Sequence, residues 1–238
     1  MRRPQLIAHP LGGQEMLTEE AHSKLKRYNE YCLHYNLVAE GCYRKLAELG
    51  DPFSDSYFPY LVAALISFDM GRQMGKGTKN KYDPAANAFA ARLKKKLRTV
   101  NYLLSSLIHE DLLTVNIELC REAIKKAYDE LTQNNYGLHA SNKSFHVGAT
   151  KILHFLAPDL FPIVDSYAAR VFKTEFEIRY RATTQPGYGP ERYIEVMEQA
   201  RSLIRSYGKD EFKALEPGTP LMRVFDKLVF AHAGSWED

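Results

Sequence analysis

Apolar residues recur at helical spacing along almost the whole chain, and no apolar–polar alternation runs longer than four residues. A half-buried strand needs that alternation, whereas a helix packed on a core needs the three- and four-residue spacing found here. The chain is therefore expected to be all-α. Its breakers mark the elements. A helical stretch over about 18–49 stops at Gly50-Asp51-Pro52. A strongly apolar stretch over about 57–74 carries Leu61, Val62, Ala64, Leu65, Ile66 and Phe68 and reads as a buried helix. Asp83-Pro84 is a start signal, an N-cap followed by proline at the first helical position, for a helix to about 109. Further helices are expected over about 112–133, 149–157, 165–180 and 190–207, and a final one whose start is bracketed by Pro217 and Pro220 and which ends near Ala233, which makes about eight or nine in all.

A chain of 238 residues with an apolar share of 45% can bury a real core, as one large domain or as two small lobes that share one. Its three cysteines, Cys32, Cys42 and Cys120, are far apart and form neither a disulfide framework nor a zinc spacing. The eight histidines show no H-x-x-x-H spacing, and there is no P-loop and no G-x-G-x-x-G, so neither a metal nor a cofactor is expected. No run approaches the roughly 18 apolar residues of a membrane span. No signal-peptide core follows Met1-Arg2-Arg3-Pro4. A cytoplasmic monomer is the expectation. Net charge is only +3, but the cations are clustered: Arg92, Lys94, Lys95, Lys96 and Arg98 in one stretch, Arg72, Lys76, Lys79 and Lys81 in another. Such clusters form either a phosphate-binding face or an ordinary solvated one.

The chemistry concentrates in two segments. Val147-Gly148-Ala149-Thr150-Lys151 reads as a glycine turn opening a helix. Phe161-Pro162-Ile163-Val164-Asp165-Ser166-Tyr167-Ala168-Ala169-Arg170-Val171 reads as an apolar extended link, then a lone carboxylate at the next helix start. A carboxylate held there suits the stabilisation of a sugar cation, since cleavage of an N-glycosidic bond builds positive charge on the sugar. It also suits a plain helix cap.

This order of elements resembles the helix-hairpin-helix DNA glycosylases, the group of endonuclease III and the 8-oxoguanine glycosylases. Those proteins carry a G-V-G hairpin and, after a helix, a V-D-T/S-x-V-x-R element with the catalytic aspartate. The resemblance covers about 59–172. It implies a two-lobed helical fold with a cleft for DNA and an extruded base. The lobes would be a helical lobe over about 57–140 and the hairpin with the aspartate helix over 141–182, with 1–56 and 183–238 as packing helices. It implies Asp165 as the catalytic carboxylate and Arg170 as the arginine that follows it. Lys151 would be the nucleophile of a bifunctional enzyme; otherwise it binds phosphate or is solvated. The family's lysine falls one residue earlier, where Thr150 stands, and the interval from Lys151 to Asp165 is a few residues short. His146 replaces the first hairpin glycine. The hairpin would grip a phosphate through its backbone N–H groups and the following helix N-terminus, with His146, Gly148 and Thr150 placed for that, or be an ordinary helix start. Upstream, Pro59-Tyr60-Leu61-Val62-Ala63-Ala64-Leu65-Ile66-Ser67-Phe68-Asp69-Met70 resembles the family's base-pocket helix, with Asp69 in place of a glutamine. Phe68, Asp69 and Arg72 would then line the pocket. Tyr180, Tyr188 and Tyr193 border a loop and offer stacking surfaces. The iron–sulfur cluster of some relatives is not expected, because no cysteine follows Cys120.

The resemblance implies a DNA glycosylase that excises a damaged or modified base from double-stranded DNA, leaving an abasic site, with strand cleavage left open. A bulky modified base of the kind found in phage DNA would make the enzyme a defence protein. The alternatives are a non-catalytic helical DNA-binding module that keeps the hairpin for phosphate contact, and a helical interaction protein that touches no nucleic acid.

Overall fold

The structure is a computed structural model and describes residues 14–67, 84–132, 145–178 and 188–233. Every regular element among the described residues is a helix, ten in number: α1 Gln14–Tyr31, α2 Leu33–Leu49, α3 Phe58–Leu65, α4 Pro84–Leu104, α5 Ile117–Thr132, α6 His146–Leu156, α7 Ser166–Phe176, α8 Tyr188–Tyr207, α9 Lys209–Ala214 and α10 Leu221–Ala233. No described helix is long and apolar enough to cross a membrane.

The helix α6 lies at the centre. All its residues but Val147 are buried, as expected of a helix with apolar or small residues on every side. It packs on α3 and α5. From α5 one group of helices extends through α4 and α8 to α9, while a second group joins α1, α7 and α10, with α2 linking α1 to α3. One continuous hydrophobic core runs through both groups, from Ala21 and Leu25 of α1 to Leu228 and Val229 of α10.

The single helix expected over 18–49 is two helices, broken at Cys32. No glycine or proline marks the break. Across the break, Nη2 of the buried Arg223 of α10 donates to both Tyr28 Oη and Asn36 Oδ1 at 3.0 Å each, and so ties the two helices together. At the far end of α2 the expected stop holds: Gly50 takes φ +68 and its N–H returns to Leu46 O at 2.8 Å.

Other boundaries also move. Of the apolar helix expected over 57–74, Phe58–Leu65 is α-helical and Ile66 and Ser67 form a π turn, while 68–74 lie outside the described residues. The helix expected from 112 starts at Ile117, because Asp111 Oδ1 accepts from Leu113 N and Thr114 N and folds that stretch into a turn. The aspartate helix expected to reach 180 stops at Phe176, closed by Glu177 in the left-handed conformation.

Candidate active site

Asp165 is delivered by a link that is pinned at three successive points. His154 Nδ1 lies 2.8 Å from Phe161 O, Tyr193 Oη donates to Pro162 O at 2.9 Å, and Thr150 Oγ1 accepts from Val164 N at 3.1 Å. With 160–164 fully buried, the carboxylate has little freedom to wander. Asp165 caps α7: its Oδ1 accepts from Tyr167 N and Ala168 N, both at 2.9 Å. Its Oδ2 makes no hydrogen bond among the described residues, and the residue is partly exposed. Beside it on α7, the half-exposed Tyr167 packs on Phe230 with ring centroids 4.6 Å apart, and the exposed Arg170 guanidinium lies 5.5 Å from the Tyr167 ring. The floor under α7 is α10, through Phe172 on Phe225 and the Glu175–His232 pair at 3.1 Å.

On α10 sits a residue that the sequence reading missed. Asp226 is 8% exposed and pairs with Arg223 Nη1. Burial pushes its carboxyl up to about 6; Arg223 opposes that, Asp165 adds to it and Lys151 opposes it. Lys151, 9% exposed, and Asp165 therefore act on the same carboxylate. Arg223 and Asp226 form a buried ion pair on α10, and the buried Lys151 of α6 and the partly exposed Asp165 at the head of α7 complete a charge cluster that acts on it through space. Behind Arg223 the polar chain continues, with Asn36 Nδ2 donating to Asn29 Oδ1 at 2.8 Å, Asn29 Nδ2 to Glu216 Oε1 at 2.9 Å, and Lys227 Nζ to Glu216 Oε2 at 2.7 Å. Arg223 and Lys227 also line a cavity of about 760 Å³ between α2 and α10. Asp226, Lys151 and Asp165 do not line it, so the guanidinium stands between that cavity and the charge cluster. A signal for Asp226 did exist: Arg223, Asp226 and Lys227 interrupt an otherwise apolar run from Leu221 to Val229. Charges at such positions are costly unless paired.

The hairpin residues sit differently from expectation. His146, Gly148 and Thr150 are all buried. Tyr128 Oη holds His146 Nδ1 at 2.7 Å, and Thr150 Oγ1 donates to Val147 O at 3.0 Å besides pinning the link. Gly148 lies inside the first turn of α6, where an added Cβ would stand 2.3 Å from Cζ of Phe145. Its smallness admits that ring. The side chains of His146 and Thr150 are thus engaged inside the protein, and the expected phosphate grip is one for the main-chain N–H groups at the head of α6. The basic stretch is also divided. Lys95 and Arg98 are exposed, as is Lys94, which pairs with Asp55 at 2.8 Å. Lys96 is turned inward, 8% exposed, where Nζ donates to Glu130 O. Tyr193 is fully buried and offers no stacking surface. Phe68, Asp69 and Arg72 of the expected base pocket, Lys76, Lys79 and Lys81, and Tyr180 lie outside the described residues, as does the side chain of Tyr188.

All three cysteines are buried, and burial pushes each thiol up, Cys42 to about 11, which removes them as nucleophiles. Among the described residues no three His, Cys, Asp or Glu side chains gather as a metal site would require. No family model, no curated protein and no solved structure matches the chain.

Proposed function

We propose that the chain is a DNA glycosylase of the helix-hairpin-helix type. It draws a damaged or modified nucleotide out of a duplex into a cleft between two helical lobes, and it breaks the N-glycosidic bond to leave an abasic site. The observation that carries this reading is Asp165 at the head of α7, on a buried link pinned by Thr150 and Tyr193, with one carboxylate oxygen occupied by the cap and the other left over. As the base departs with the bonding electron pair, positive charge grows on the sugar. Asp165 Oδ1 is occupied by the cap, which leaves Oδ2 to face that charge. Water then adds its oxygen to C1′, and its proton balances the base nitrogen. Tyr167 supplies a partly exposed ring beside the carboxylate, and Arg170 a cation for a flanking phosphate. The burial of Lys151 holds its side chain back from travelling to C1′, against a nucleophile role. The expected product is an intact abasic strand.

Asp165→Asn tests the reading. Asparagine caps a helix about as well as aspartate, so stability should stay within roughly 1 kcal/mol. Base release from a panel of modified duplexes should slow by about 10²–10³. A well-folded Asp165→Asn protein that excises bases at the parent rate would sink the assignment.

A non-catalytic DNA-binding module is the second reading. The exposed Lys94, Lys95, Arg98 and Arg170 favour it, because phosphate contact needs no chemistry. Salt-dependent binding without any abasic product would decide for it.

A further inference from the structure

The cavity between α2 and α10 has no part in the chemistry above, and neither Asp165 nor Lys151 lines it. At about 760 Å³ it falls within the size range of small-molecule sites. Its charges are graded by depth. The buried ones in its wall are both cations, Arg223 at 1% and Lys227 at 3% exposure. Their carboxylate partners, Asp226 and Glu216, do not line the cavity. Lys227 Nζ donates to the two oxygens of Glu216 at 2.8 and 2.7 Å, and an ammonium carries a third N–H. The carboxylates that do line the cavity lie further out: Glu40 is exposed, Glu110 and Asp159 are half-buried, and Asp159 Oδ1 accepts from Leu221 N. Between the two charged zones the wall is apolar, with Ala39, Leu46, Pro52 and Ile108.

We propose that this cavity binds a nucleoside monophosphate. Its phosphate sets negative charge against Lys227 and Arg223, where burial strengthens the attraction. The N–H groups of its base donate to Glu40 and Glu110 nearer the mouth. The flat ring covers the apolar wall between them. Inorganic phosphate alone would leave that wall and the outer carboxylates without a partner, and a nucleoside alone would leave the cations unanswered. The site stands whatever chemistry Asp165 performs, because the two share no lining residue.

The experiment is a calorimetric titration of the full chain at low salt, with adenosine monophosphate, adenosine and inorganic phosphate as probes. The monophosphate should bind at least about tenfold more tightly than either part alone. Ala47 is exposed and lines the mouth, so Ala47→Trp narrows the entrance without disturbing the core. It should melt like the parent and weaken binding of the monophosphate by about tenfold or more. Lys227→Met should weaken it as well; should that variant fail to fold once Glu216 loses its partner, Ala47→Trp decides alone. Changing Lys94 and Lys95 to Glu should leave the affinity at the parent value, since those cations stand on α4, away from the cavity. The proposal is overturned by a monophosphate that does not bind, by inorganic phosphate that binds as tightly as the monophosphate, or by a folded Ala47→Trp with parent affinity. Binding that persists in a protein that excises no base from any duplex would count against the glycosylase reading and leave this site standing.

Discussion

The ring of His154 is fully buried beneath the start of the link that carries Asp165. Phe161 O, 2.8 Å from Nδ1, can only accept, so Nδ1 carries the proton and Nε2 accepts from Tyr43 Oη at 2.7 Å. Burial pushes the ring down to about 3 from its ordinary 6.5. For a base lowered in this way the unfolded chain takes up the proton first. Stability is thus intact above about 6.5 and is lost as pH falls toward 3. Between pH 7 and 5 the loss is about 2 kcal/mol. Asp226 works in the opposite sense: its folded value of about 6 exceeds the ordinary 3.8, so acidification through pH 6 returns about 1 kcal/mol. Urea titrations at pH 7 and pH 5 should therefore show His154→Gln losing about 2 kcal/mol less than the parent on acidification. An equal loss in both proteins would mean that the ring is not neutral in the fold.

At the scale of the helices, α6 depends on the absence of one methyl group. Alanine at 148 would improve helix propensity by about 1 kcal/mol. Against that gain stands the Phe145 ring, 2% exposed and packed against Phe89, which has little room to retreat. Overpacking of this kind costs about 1–3 kcal/mol. Gly148→Ala should therefore lower stability by up to about 2 kcal/mol in denaturant unfolding, and a stabilised variant would refute the packing role. The elements themselves were largely legible in the chain. Pro84, Gly50 and the apolar link before Asp165 are local signals, and local backbone chemistry obeys them. The break at Cys32 was not legible, because no glycine or proline marks it and the Arg223 guanidinium that ties its two sides together comes from α10. Asp226 was legible only as a charge interrupting an apolar run, which does not tell which group it pairs with. Lys96 could have been read. It falls on the same face as Leu93, Leu97, Val100 and Leu104, all buried, so helical periodicity alone points it inward.

Over the whole molecule the charges divide into those that tie helices together and those left facing solvent. Arg121 of α5 reaches Glu191 and Glu198 of α8 at 3.1 Å each, and Lys125 reaches Glu191 at 2.6 Å, which commits that surface to mutual pairing. Lys94, Lys95 and Arg98 on α4 are exposed cations. Changing Lys94 and Lys95 to Glu should weaken duplex binding for all sequences alike and flatten the log–log salt dependence by about 0.9 for each phosphate no longer neutralised. Lys96→Glu should act differently, costing about 3 kcal/mol or more of stability by burying an unpaired carboxylate beside Glu130. Unchanged affinity in the double variant would move the DNA face off α4. The packing of α7 on α10 has a last consequence, in the order of synthesis. A ribosome releases α7 well before α10. Until that last described helix emerges, the nascent chain holds Asp165 on a helix without its floor. A protein read as cutting bases from DNA is thus kept incomplete until its translation has passed α10.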